Sequence, residues 1–72
     1  METSEILRIQ SYLREKFNTE RLTLDMKSKK SDSIEVLVGG EFIGVIYKDE
    51  DEGETSYAFN MAILDIDLPP AN

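Results

Sequence analysis

Seventy-two residues with a formal net charge of −7, 32% charged and 40% hydrophobic side chains, leave room for one small domain and a single modest core. Cysteine and histidine are both absent, which excludes disulfides, thiolate chemistry, the commonest general base and the commonest transition-metal ligand. The charge is uneven: the chain through Val36 is balanced, while the segment from Leu37 onward, with Lys48 as its one cation, carries the whole −7. Such a surface repels phosphate, so nucleic acid and anionic membrane are disfavoured partners. No apolar stretch approaches the roughly 18 residues of a membrane span, and the N-terminus lacks a signal-peptide pattern, so a soluble cytoplasmic protein is expected. A core this small is usually supplemented, and with disulfides excluded the expected supplement is oligomerisation.

The first element is a helix. Thr3 and Ser4 are N-cap candidates, Glu2 and Glu5 complement the positive helix end, and Ile6, Ile9, Leu13 and Phe17 recur at helical spacing with Leu7 and Tyr12 on the flanks. Lys16 supplies a last-turn cation and Asn18 suits the C-terminal cap. The period then becomes two. Leu22, Leu24 and Met26 alternate with polar residues as in a half-buried strand, and residues 28–32 form a polar loop. Ile34, Val36 and Val38 alternate again, with Leu37 as an apolar intruder on the outer face. Gly39-Gly40 fits a two-residue hairpin turn that needs positive φ at both positions. Residues 42–47 are apolar on both faces, which suits a central strand, with Gly44 marking a close approach of a neighbour.

The segment Asp49-Glu50-Asp51-Glu52-Gly53-Glu54 follows, read as an acidic hairpin loop. Tyr57, Phe59, Met61 and Ile63 then alternate, after which the apolar phase flips to Leu64, Ile66 and Leu68. Either a bulge corrects the phase, or the strand ends near Ile63 and a separate arm begins. Pro69-Pro70 stops regular structure. The expected fold class is α+β: an N-terminal amphipathic helix packed on an antiparallel four-stranded meander sheet, α-β-β-β-β. Residues 1–68 form the single domain and 69–72 a C-terminal tail.

Three stretches carry a resemblance: Gly40-Glu41-Phe42-Ile43-Gly44-Val45-Ile46, the acidic segment, and the strand from Ser56-Tyr57 through Met61-Ala62-Ile63-Leu64-Asp65. Together they resemble a family of short alphaproteobacterial proteins known only as a domain of unknown function. The resemblance implies a stand-alone bacterial cytoplasmic protein. It implies no activity, substrate or catalytic residue.

The residues themselves argue against catalysis. Asp49-x-Asp51-x-Gly53 has the look of the start of a calcium loop, but the twelfth position, where a bidentate glutamate belongs, is Asn60. Clustered exposed carboxylates do not split their pKa values as an acid–base pair must. The serines have no histidine to activate them, no Gly-x-Ser-x-Gly elbow is present, and no phosphate loop includes Gly39-Gly40. The Lys27-x-Lys29-Lys30 cluster is diluted by Asp25, Asp32 and Glu35. No catalytic, cofactor or metal residue is therefore expected.

The favoured reading is a non-enzymatic protein-interaction module, either a homodimer or an accessory subunit. Its contact residues would be Leu37, Ile43, Val45 and Tyr47 on the sheet, with Leu64, Ile66 and Leu68 on the arm. Asp49, Asp51 and Glu52 would select a basic partner. The alternatives are weak divalent-cation binding at the acidic segment and a small-molecule site in the helix–sheet crevice.

Overall fold

The computed structural model describes residues 1–25 and 32–71. The expected strand position Met26 and the Lys27-x-Lys29-Lys30 cluster lie outside the described residues.

Helix α1 spans Thr3–Lys16. Its N-cap is Glu2, not Thr3 or Ser4. The backbone N–H of Glu2 donates to Glu5 Oε1 at 3.1 Å, so a carboxylate three residues on fixes the start of the helix. At the other end Asn18 takes φ 53°, the left-handed conformation that asparagine tolerates well. Thr19 N–H donates to Arg14 O at 3.0 Å and Asn18 N–H to Glu15 O at 3.3 Å. These two bonds are the Schellman pattern, so Asn18 ends the helix from just beyond its Phe17 C-cap.

Four antiparallel strands follow: β1 Leu22–Leu24, β2 Ser33–Val38, β3 Glu41–Asp51 and β4 Glu54–Asn60. They lie side by side in chain order, so the α+β meander is as the sequence pattern predicts. The Gly39-Gly40 turn between β2 and β3 has φ of 59° and 84°, as a two-residue type I′ hairpin demands. The second hairpin departs from expectation. Asp51 pairs with Glu54, and Glu52 and Gly53, at φ 51° and 83°, are the entire turn. The acidic segment is therefore not a loop. Asp49, Glu50 and Asp51 are strand residues despite poor β propensity, because the ladder to β4 and the tight turn at Gly53 hold them extended.

The fold does contain a bulge, though in β3 and not after Ile63. Val36 faces Gly44 while Leu37 faces Phe42, leaving Ile43 as the extra residue. Beside it Gly44 is buried against β4: a Cβ there would lie 2.5 Å from the Asn60 carbonyl oxygen and 2.7 Å from the Phe59 ring. The neighbour expected from Gly44 is thus the end of β4.

The core is Ile6 and Leu13 from α1, Leu22 and Leu24 from β1, Ile34 and Val36 from β2, and Ile46 from β3, with Ile9, Val38, Ile43 and Phe59 packed around it. Strand alternation puts all the strand members of that core on one sheet face, beneath the helix. Phe17, expected on the buried helix face, is half exposed and meets Phe59 edge-on at 6.4 Å between centroids. The helix also closes the β1 edge. Gln10 Oε1 accepts the Leu24 N–H at 3.1 Å, and Arg14 Nε donates to Leu22 O at 2.7 Å. Two polar residues one helical turn apart thereby satisfy backbone groups that an edge strand would leave open.

After Asn60 the chain leaves the sheet. Residues 61–64 are irregular, and Asp65–Asp67 form one 3₁₀ turn. The strand expected to run on to Ile63 stops three residues short. Leu64 and Ile66 do not fill the core either, Ile66 being 87% exposed. Among the described residues, no helix is long and apolar enough to cross a membrane.

Replacing Gly44 by alanine is expected to destabilise the fold by about 1–3 kcal/mol, because the added methyl meets backbone that cannot turn aside. Urea unfolding followed by circular dichroism measures this, and an unchanged midpoint would refute the close-approach account.

Candidate functional site

Among the described residues the sheet has an α-helix on one face only. The opposite face carries Thr23, Leu37 and Phe42 at one level, Glu35, Val45 and Asn60 at the next, and Ser33, Tyr47 and Ala58 at a third. Phe42 and Tyr47 are about half exposed, and no described element packs a second layer there. The arm borders this face. Phe42, Ile43, Val45 and Tyr47 line one side of a shallow groove, and Met61 and Leu64 line the other. Ile43 reaches it because of the bulge, since two successive residues of β3 break the strict alternation there.

A second concavity lies under the helix. Glu5, Arg8, Ile9, Tyr12 and Leu13 of α1 face Ile46, Tyr57 and Phe59 across an open, largely apolar crevice of about 390 Å³. Its mouth is held by Glu5. The Glu5 carboxylate accepts hydrogen bonds from the Tyr57 hydroxyl and the Glu2 N–H, and pairs with Lys48 Nζ at 2.9 Å. Lys48 also reaches Glu50 at 3.4 Å. One carboxylate therefore caps α1 and ties it to both β3 and β4. The Tyr57 hydroxyl and then the Lys48 ammonium hold the Glu5 carboxyl at about 2, well below its ordinary 4.5. The same contact with Glu5 raises the pKa of Lys48 and of Tyr57.

The acidic segment forms the tip of a two-stranded ribbon. Among the described residues, ladder partners for β3 from β2 end at Tyr47, and beyond Lys48 the strand pairs with β4 alone. Alternation sends Asp49, Asp51 and Glu54 to the open face, while Glu50 stays on the helix side beside Lys48 and Glu52 sits in the turn. Among the described residues no three carboxylates converge in a metal-holding group. Asp51 and Glu54 instead face one another directly, like charge against like.

Of the residues singled out from the sequence, Ile43, Val45, Tyr47 and Leu64 meet in the groove. Leu37 lies beside it, paired with Phe42. Asp49, Asp51 and Glu52 belong to the ribbon, and the exposed Ile66 and Leu68 do not line the groove. Sequence reading missed Phe42 and Met61 in the groove, and the Glu5–Lys48–Tyr57 cluster. Phe42 was legible as the large apolar residue two positions past the Gly39-Gly40 turn. The cluster had no local signal, because Glu5 and Tyr57 are 52 residues apart.

Glu5 supplies stability that is fully present above about pH 4.5 and lost as the pH falls toward about 2, because its folded pKa is depressed. Tyr57 and Lys48 have raised folded values, so their share is present below about pH 10 and lost above it. The difference in stability between wild type and Glu5→Gln is therefore expected to be flat from pH 5 to about 9.5 and to shrink toward pH 2. Thermal melts across that range check it. At the ribbon tip, Glu54→Lys turns a repulsive cross-strand pair into an attractive one, for a gain of roughly 0.5 kcal/mol. That corresponds to a melting temperature higher by about 2–4 °C at low salt, and the gain should fade in 1 M salt.

No curated protein and no solved structure matches the chain. A family model does, over residues 5–67, a span that runs from the Glu5 anchor through all four strands to the end of the 3₁₀ turn. The chain belongs to the DUF3126 family, whose members are proteins of unknown function.

Proposed function

We propose that the protein is a non-enzymatic binding module, a homodimer or an accessory subunit in a bacterial cytoplasm, whose contact surface is the uncovered sheet face and the arm beside it. The carrying observation is an imbalance among the described residues. Seven hydrophobic residues are buried, whereas eleven large ones are exposed, Phe42, Tyr47, Met61 and Leu64 among them around a single groove. Exposed apolar side chains gathered on one face, and rimmed by polar residues, are the usual mark of a contact surface. Tyrosine and phenylalanine there would supply the anchoring contacts, and the acidic ribbon would favour a basic partner surface mainly through encounter rate.

The helix–sheet crevice supports a second reading, as a small-molecule site. Its volume of about 390 Å³ is that of a small ligand pocket, with Glu5, Arg8 and Tyr57 as polar groups on an apolar lining.

Cross-linked affinity capture with wild-type protein and with the Val45→Ser/Tyr47→Ser double variant tests the first reading. Tyr47 is about half exposed, and Val45, though partly buried, lies outside the core on the face away from the helix, so the variant is expected to fold. Recovery of a partner bound on this face should drop roughly tenfold or more. Equal recovery of the same species with the folded variant would rule out this face.

A further inference from the structure

The two edges of the sheet are treated in opposite ways. Asp25 N–H donates to Glu35 O at 2.9 Å and Gly39 N–H to Arg21 O at 3.0 Å, so the odd-numbered positions of the first strand bond to β2. Leu22 and Leu24 therefore turn their backbone groups outward, where Arg14 takes the Leu22 carbonyl and Gln10 the Leu24 N–H. The same alternation fixes the far edge. Lys48 N–H donates to Asp32 O at 2.8 Å, which leaves the odd positions of β3 to bond to β4 through Ser56, Ala58 and Asn60. Thr55, Tyr57 and Phe59 point their N–H and C=O groups away from the sheet. Among the described residues no strand pairs with them. Nor does the sequence protect this edge. In a chain with 32% charged residues, positions 55–64 contain no charge, no proline and no glycine, the devices that usually blunt an exposed strand.

We propose that β4 pairs antiparallel with β4 of a second copy, with Tyr57 on the two-fold axis. This rests on the reading of the protein as a contact module but assigns self-association to the strand edge instead of the open face. A second copy fits where an unrelated strand would leave a new edge. Among the described residues its one unprotected edge is this same one, and joining them gives an eight-stranded sheet whose two outer edges are both β1, where Arg14 and Gln10 already hold the Leu22 carbonyl and the Leu24 N–H. Only the register that places Thr55 opposite Phe59 of the second copy and Tyr57 opposite its counterpart engages every outward-pointing group. That register sets Glu54 against Asn60, so no acid faces an acid across the seam. It also sends the two acidic ribbons to opposite ends of the dimer, which keeps apart the segments that carry most of the −7. On the helix side the seam brings together two copies of Thr55, Tyr57 and Phe59, covering the exposed Tyr57 ring and the open side of the crevice.

The experiment is light scattering on wild type, on Thr55→Pro and on Val45→Ser/Tyr47→Ser, joined to a cross-linking arm. Wild type is expected at a mass near twice 8.2 kDa. Thr55→Pro removes an N–H that points only outward, so it should keep its circular dichroism and raise the dimer dissociation constant roughly tenfold or more. Because the chain has no cysteine, Ser56→Cys mixed with Ala58→Cys should form a disulfide dimer on mild oxidation, in excess of either variant alone. In the stated register these two positions are a non-hydrogen-bonded pair about 4.5 Å apart at Cα, within disulfide reach. A wild-type monomer at every concentration overturns the proposal. So does a dimer that survives Thr55→Pro but is lost in Val45→Ser/Tyr47→Ser, an outcome that would move self-association to the open face and leave the contact-module reading standing.

Discussion

One α-helix, the only one among the described residues, cannot cover a four-stranded sheet, and the bare face, the crevice and the open edge descend from that shortfall. An α-helix with its side chains is about 10 Å wide, whereas four strands at about 4.8 Å spacing place the outer strand axes roughly 14 Å apart. Helix α1 spends its coverage on one side. It buries the β1, β2 and near β3 side chains and closes the β1 edge with Gln10 and Arg14. That leaves β4 at the margin of the core, with Phe59 as its one partly buried residue. The crevice, the open edge and the bare face are all what remains once the helix has been placed.

Glu5 makes that placement specific. Apolar packing alone would let the helix slide or rotate, since Ile6, Ile9 and Leu13 are similar in size. The Glu5 carboxylate instead meets Lys48 on β3 and Tyr57 on β4 while accepting the N–H of Glu2. These contacts are local to the helix start at one end and distant in sequence at the other, so forming them commits the hairpin and the helix to one register. The depressed carboxyl pKa is the electrostatic trace of the same arrangement.

The acidic ribbon shows a different balance. Asp49, Asp51, Glu52 and Glu54 add repulsion to the hairpin they occupy, and their exposure keeps the cost small. Such a tip keeps one end of the strand pair soluble. It also makes the chain a strongly one-sided charge, which bears on how copies or partners can approach.

Much was legible in the sequence because it is encoded within a few residues. The helical spacing of Ile6, Ile9 and Leu13, the alternation of Ile34, Val36 and Val38, and the paired glycines at 39–40 each specify local geometry, and the α-β-β-β-β order follows. What only the tertiary structure decided involves partners far apart in the chain. Residues 49–51 are strand because β4 lies alongside, although their own preference is for a loop. Ile43 bulges because β2 and β3 pair on both sides of it, a register that no single strand's pattern states. The end of β4 at Asn60, the Glu5 anchor and the contrast between a helix-bonded and an open edge belong to the same class. Local alternation sets which way a side chain points, but which surfaces stay bare depends on where the one helix lands.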